Sequence, residues 1–487
     1  MKKRIKHLAL FGFFLASIIS AIGCVPHIHQ LPAANKTIPA FPPLPPPEDD
    51  TIIGIAFSGG GSRAAYFSAA GLEAFSRLRL SPQSPSLLER VAYMSSVSGG
   101  SVASSYFVME KPGKNQSGQK ENVLGLDGAL TDRYRAFFDA YLKTMASDIQ
   151  GAVVWRQFYK VRWLDSNQRA TSLAETLDSS FLRGRTFKDL YEREQQGDAP
   201  RLILNTTVYN NGRRAVMTTL PDPVFEYKFF NQLQEALEAH PPDRGIKPLP
   251  VALKNAQEAL IPVTFEDLGA DGRGVPLSMA VAASASFPPL IGPITIQVQG
   301  DPKHIYHHLG DGGLFDNQGT ESLVQLLLQR NKENKKKRAL VIAFDSSFPF
   351  WGKIDALNHY PNGFKIFAND PGRIVGIMEQ RANAYQSAIW HILQNQNILL
   401  PDDNTIKVIP IRHTEDVWPD NPRIPQECAG DADGLREKKA VIQRLALMPT
   451  LFELKSECDR ALLNEAANLA VEQHKDEILG FLNQKPK

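Results

Sequence analysis

The feature that most limits how this chain can fold is a change of pattern made twice near its start. Thr51 to Phe57 (TIIGIAF) is a short apolar run rich in β-branched residues, and it stops at Ser58 and three glycines. Such a run suits a buried strand, and the glycines suit a tight loop at its end. From Arg63 to Leu80 the apolar positions Ala64, Phe67, Leu72, Phe75 and Leu78 recur at helical spacing. Val91 to Val97 (VAYMSSV) then reads as a second strand, and Ser98, Gly99 and Gly100 lead into a further helical stretch through Phe107. Two strands joined through one helix are normally parallel neighbours with a right-handed crossover, so the loops leaving their C-terminal ends open on one edge of the sheet. That places Gly59 to Gly61 beside Ser98, on the edge where open α/β sheets hold ligands.

Leu202 to Val208 (LILNTTV), His304 to Leu309 (HIYHHL) and Ala339 to Phe344 (ALVIAF) extend the pattern. The expectation is an α/β domain over residues 51–350 with a helical insertion at about 111–200. A mostly helical region follows over 351–487, where apolar spacing is again helical. Tyr134, Phe137, Phe138, Tyr141, Trp155, Phe158, Tyr159 and Trp163 concentrate in the insertion. They suit either a lid or lipid-facing surface or a small helical layer packed on its own rings.

With 43% hydrophobic residues, the 487-residue chain has enough apolar matter for a sizeable core. Four of its 54 basic residues, Lys2, Lys3, Arg4 and Lys6, precede an apolar run from Leu8 to Ile22 and small residues before Cys24. This three-part segment reads as an export signal over residues 1–23. Without those four cations the chain holds 50 basic against 52 acidic residues, which gives no electrostatic case for a nucleic-acid partner. The stretch AIGC resembles the lipobox of bacterial lipoproteins, whose cysteine is acylated. Cys24 is therefore expected to carry a lipid anchor holding the protein on a membrane of the bacterial cell envelope, in the periplasm or at the outer membrane. Residues 24–50 (LPAANKTIPAFPPLPPPEDD within them) are proline-rich and lack periodicity, and are expected to act as an extended tether. Cys428 and Cys458 are the two other cysteines. In an exported protein they suit a disulfide, the alternative being two free buried thiols.

The chemistry-bearing residues lie in three glycine-rich loops. At Ser96-Val97-Ser98-Gly99-Gly100 a strand runs into a glycine-flanked serine and then a helix, the arrangement of a nucleophile elbow. Ser58-Gly59-Gly60-Gly61-Ser62-Arg63 lacks both the GK[ST] ending of a P-loop and the GxGxxG spacing, so its bare amides suit an oxyanion hole rather than a nucleotide. A serine hydroxyl needs a base. Asp311, in Gly310-Asp311-Gly312-Gly313 after the HIYHHL run, is the leading candidate; His307 and His308 are rivals, of which at most one can face the site. No spacing calls for a metal or a cofactor.

GGGSR after a first strand, SVSGG after a second and DGGLFDN much later, in that order, resemble the patatin-like phospholipases, as does Ala282 to Pro289 (AASASFPP). The resemblance implies a patatin-like three-layer α/β fold with a central, mostly parallel sheet, a helical insertion and a helical C-terminal extension. It also implies a Ser–Asp dyad of Ser98 and Asp311, an oxyanion loop of Gly59, Gly60 and Gly61, and supporting roles for Arg63, Gly100, Gly312 and Gly313. Ala64 and Ser96 stand where the family often has glycine. The expected function is hydrolysis of a carboxylic ester in a phospholipid or other acyl lipid; the alternatives are acyl transfer to an alcohol, or a membrane-anchored binding or scaffold protein that has lost activity.

Overall fold

Nine strands form one sheet among the described residues: β1 (Ile28–Leu31), β2 (Thr51–Phe57), β3 (Val91–Ser96), β4 (Arg201–Val208), β5 (Arg213–Thr218), β6 (Ile294–Val298), β7 (Tyr306–Asp311), β8 (Arg338–Asp345) and β9 (Ile406–Arg412). They belong to a computed structural model of the chain. It describes residues 28–35, 39–47, 49–114, 117–160, 162, 166–239, 257, 258, 260–287, 291–333, 338–347, 382, 384, 406–448, 450 and 454–484. The order across the sheet is β1-β6-β7-β4-β3-β2-β8-β9, with β5 also paired to β4. β4, β3, β2, β8 and β9 run parallel in succession, β1 is parallel to β6, and the β6–β7, β7–β4 and β4–β5 pairs are antiparallel.

The helices are α1 (Gly61–Ser76), α2 (Gly99–Glu110), α3 (Asp132–Met145), α4 (Ile149–Tyr159), α5 (Ser166–Leu177), α6 (Phe187–Gln195), α7 (Phe229–Ala239), α8 (Leu277–Ser284), α9 (Thr320–Glu333), α10 (Lys438–Leu447) and α11 (Glu457–Asn483). Every residue of β2 and β8 is buried, as in a sheet covered on both faces. Alternation along the strands shows which layer each face meets. Ile53, Ile55 and Phe57 of β2, with Leu340, Ile342 and Phe344 of β8, join one core with α1, α2 and α11. Ile52 and Ala56, with Ala339, Val341 and Ala343, join a second core with Leu323, Val324, Leu326 and Leu327 of α9. Helix, sheet and helix thus make three layers, as the resemblance implies.

Two expectations about organisation are corrected. Residues 28–35 and 39–47 are not a free tether. β1 extends the sheet beside β6, Phe41 is buried against Tyr191, and backbone carbonyls of the proline run are clamped by side chains. Tyr191 Oη donates to Pro42 O at 2.9 Å, Arg330 Nη2 donates to Pro47 O at 2.7 Å, and Arg201 donates to Pro45 O. Proline lacks an N–H, but an extended proline run presents its carbonyls outward, and that acceptor chemistry is what the arginines use. Nor does the sheet end near residue 350, because β9 pairs along β8 in parallel and α11 packs on α1. Cys428 and Cys458 are disulfide-bonded, tying the turn before α10 to the start of α11. Cys24, residues 1–23 and all but residues 382 and 384 of the helical pattern over 373–396 lie outside the described residues, while α10 and α11 carry the helical pattern nearer the C-terminus.

The insertion divides its rings. Tyr134, Phe137, Phe138 and Tyr141 of α3 are buried, with Tyr141 stacked on Tyr106 of α2 at 4.8 Å between centroids. Trp155, Phe158 and Tyr159 of α4 are exposed. Trp163 lies outside the described residues.

Candidate active site

The site is assembled by a break in one edge of β4. Ile203 and Leu204 pair with β3 through Ser95 and Ser96, and with β5 through Thr218 and Met217. Thr206, Thr207 and Val208 pair with β7 through Asp311, Gly310 and Leu309, and again with β5. A strand has two edges, so β3 and β7 must share one of them, end to end. β3 is parallel to β4 and β7 antiparallel, so the two point at each other and both stop beside Asn205. Ser98 and Asp311 lie where those two strands end.

Ser98 is the N-cap of α2 and holds φ 52° and ψ −120°. This is a costly conformation for a residue with a side chain, and strain of this kind concentrates at functional sites. Its N–H donates to both the carbonyl and the hydroxyl of Ser284, at 3.2 and 3.1 Å. Asp311 is held from the same turn, its N–H donating to Ser286 O at 3.2 Å while its carbonyl accepts from Thr207 Oγ1 at 2.8 Å. Ser284 to Ser286, at the end of α8, therefore fixes the backbone of both residues. Asp311 is 2% exposed; Oδ1 accepts from Gly313 N at 2.8 Å, and Oδ2 is buried with no hydrogen-bond partner. Burial pushes the Asp311 carboxyl up to about 7, against the smaller opposing effects of the Gly313 N–H and the Ser98 hydroxyl. The Ser98 hydroxyl thus favours the charged carboxylate, while Oδ2 makes no hydrogen bond among the described residues.

The first glycine loop lies against this break. Gly60 has φ 138°, which a residue with a Cβ rarely adopts, and Gly61 opens α1. A Cβ on Gly99 would stand 2.0 Å from Gly61 O, so the loop and the start of α2 touch backbone to backbone. Gly59 lies between Ser98 and Asn317: a Cβ there would be 3.3 Å from Ser98 Cβ and 2.2 Å from Asn317 Oδ1. The Gly59 N–H, expected to be an oxyanion donor, is already given to Asn317 O at 2.9 Å. The N–H groups of Gly60 and Gly61 open a helix, where intrahelical acceptors are lacking. Arg63 lies against the glycine loop, its Nη2 3.5 Å from where a Cβ on Gly60 would stand. It is fully buried and donates to Ser346 O at 2.7 Å and Met448 O at 2.6 Å, so it clamps the loop to the end of β8 and to the segment after α10. Gly100 packs on the Phe57 and Ser58 carbonyls, and Gly312 on Asn205 O.

Several residues of the site were not singled out by sequence reasoning. Asn205 Nδ2 donates to Ser95 Oγ and Ser96 O, both at 2.9 Å, and Oδ1 accepts from Ser322 Oγ. Ser284 Oγ donates to Asn205 O at 2.6 Å and meets Ser101 Oγ at 2.8 Å; Ser96 Oγ accepts from Ser101 and Ser104. All seven side chains are buried. The available signal was a polar residue at the centre of the apolar LILNTTV run. Asp316, the second carboxylate of DGGLFDN, accepts from Gln318 N and Glu321 N at the start of α9. His307 shares a strand face with Asp311 but lies four residues away, about 13 Å along a strand. His308 is on the other face and meets Thr295 Oγ1 at 2.9 Å. Among the described residues no histidine bonds to Ser98 or Asp311.

Solved structures with a similar arrangement of the chain include human GIVD cytosolic phospholipase A2, at 13% identity and a TM-score of 0.45, covering 89% of this chain and 60% of that one. The same human protein in complex with methyl gamma-linolenyl fluorophosphonate gives 14% identity and a TM-score of 0.42, covering 89% and 58%. The chain therefore spans about three fifths of the length of these neighbours. No curated protein matches it by sequence. The family profile described as patatin-like phospholipase matches residues 55–324, more than half of the chain, from β2 through the serine elbow and DGGLFDN into α9. The chain belongs to the patatin-like phospholipase family.

Proposed function

We propose that this protein is a lipid acyl hydrolase in which Ser98 is the nucleophile and Asp311 its base. The observation that carries the reading is the meeting of a strained serine and a buried carboxylate with one unpaired oxygen at the break beside Asn205. Asp311 takes the proton as Ser98 Oγ forms a bond to the acyl carbonyl carbon. The oxyanion is stabilised by the Gly60 and Gly61 N–H groups and by the N-terminus of α2, where removing one donor typically costs about 3–4 kcal/mol. Collapse breaks the ester bond, and the departing alkoxide receives the proton from Asp311. Water then attacks the acyl-enzyme with Asp311 again as base, releasing the fatty acid and restoring the Ser98 hydroxyl. Gly59 positions the loop rather than donating.

The substrate class is a phospholipid or related acyl ester, in keeping with family membership. The lipobox reading of Cys24 proposes, in addition, an exported protein held on an envelope membrane by acylation. A fluorophosphonate probe should label the wild-type protein at Ser98 and leave Ser98→Ala unlabelled. Equal labelling of both would remove the serine from the mechanism. For the anchor, Cys24→Ser should lower the mass by the lipid and release the protein from membranes; an unchanged mass with retained binding overturns it.

A further inference from the structure

Helix α4 is apolar on two faces. Ile149 and Val153 are buried in the main core, while Val154, Trp155, Phe158 and Tyr159 are 50%, 69%, 72% and 76% exposed. These four recur at a spacing of three and four residues and so form one continuous stripe with Gly151 and Ala152, which are also exposed. An exposed stripe of three aromatic rings marks an interaction surface rather than ordinary solvent-facing helix. Its borders are cationic. Arg156, Lys160 and Arg162 share a single carboxylate, Glu175 of α5, at 3.8, 2.7 and 2.8 Å, which leaves the cluster with an excess of positive charge. The chain enters the fold beside the same pair of helices: His29 Nε2, in β1, lies 3.4 Å from Thr171 Oγ1 on α5, which packs against α4. β1, which opens the described residues at Ile28, thus lies on the same side as α5.

We propose that the exposed face of α4 is a membrane-docking surface, its rings lying at the headgroup level of an anionic bilayer and its cations against lipid phosphates. Tryptophan and tyrosine favour this depth because one end of each ring is apolar and the other polar. The cationic border favours an anionic lipid surface, and three exposed rings beside it suit the apolar–polar boundary of a bilayer. This rests on the lipid-hydrolase reading only for its biological purpose. Binding is separate from turnover, so the test uses full-length protein in a Ser98→Ala background.

Vesicles of phosphatidylglycerol with brominated acyl chains should quench part of the tryptophan fluorescence, and Trp155→Phe should lose that part. In active protein, Trp155→Asp with Phe158→Asp should raise the KM for vesicles at least about tenfold while kcat/KM for a soluble short-chain ester stays within about twofold. Quenching identical in wild type and Trp155→Phe overturns the proposal. So does a concentration-dependent dimer that the double variant abolishes without changing vesicle turnover, which would assign the stripe to a second copy. A cross-link from position 155 to another segment of the same chain, undiminished by vesicles, would also overturn it. If neither ester is hydrolysed but Trp155 is still quenched, the hydrolase reading fails and the docking surface stands.

Discussion

Asp311 and the hydroxyl network beneath Ser98 are almost equally buried, yet their polar atoms are treated in opposite ways. Asn205, Ser96, Ser101 and Ser284 are 0% exposed and spend their hydrogen bonds on one another and on neighbouring backbone. Asp311, at 2%, keeps Oδ2 without a partner. An unsatisfied buried group costs stability. The neighbouring network is fully paired, and besides Asp311 Oδ2 the unpaired buried oxygen here is that of Thr206, which stands opposite Asp311 in the strand register. Under the proposed mechanism the difference separates groups that hold the geometry from the proposed base, and substitutions on the two sides of it should behave differently.

The largest effect is expected for Asp311→Asn, which should lower kcat by roughly a thousandfold or more, as loss of a catalytic base does. The same change should raise stability at neutral pH. A carboxyl raised to about 7 in the folded protein and ordinarily near 4 is favoured when protonated, so ionisation makes the folded state progressively less stable as pH rises from about 4 to about 7. Asparagine removes that penalty, so Tm should exceed wild type at pH 8 and match it near pH 4; a lower Tm at pH 8 would break the comparison. Asn205→Leu, alike in branching and heavy-atom count but without polar atoms, strands the Ser95, Ser96 and Ser322 groups. It should destabilise by about 3 kcal/mol in urea unfolding and reduce activity with it. Next comes Ser284→Ala, which removes a hydroxyl acting through the Ser98 N–H. About a tenfold fall in kcat is expected, with KM and the pH profile unchanged; a fall confined to KM would deny it a positioning role. Smallest is the pH response of the wild type: kcat/KM should climb through about pH 7 and level off above it, because only the ionised Asp311 can accept a proton. His307→Ala and His308→Ala should leave that curve in place.

Much of this was legible because it is local. β2, its glycine stop and α1 are each encoded in adjacent residues, and the crossover rule alone carried Gly59 to Ser98. Asp311 was legible from its glycines, whereas the reason it arrives opposite Ser98, the shared edge of β4, depends on pairings across more than a hundred residues. β1 and β9 were missed for the same reason, their short runs becoming strands only beside partners far along the chain, whereas β5 and β6 pair with the adjacent β4 and β7 and were missed because their short runs carry no distinctive pattern. The commitment of the Gly59 N–H to Asn317 had no sequence signal, since any backbone carbonyl could have taken it. The rings of α3 and α4 looked alike in composition. What separates them is helical phase: α4 carries apolar residues on more sides than one buried face can use.

The docking of the N-terminal strap also sets an order of events. Ile28 to Leu31 pair with Thr295 to Val298, and the carbonyls of residues 42–47 wait for Tyr191, Arg201 and Arg330. During synthesis this stretch emerges well before any of its partners, so among the described residues the earliest segment to appear is among the last to settle. Starting the chain at Thr51 would remove β1 and expose the side of β6 that it covers, inviting association between copies.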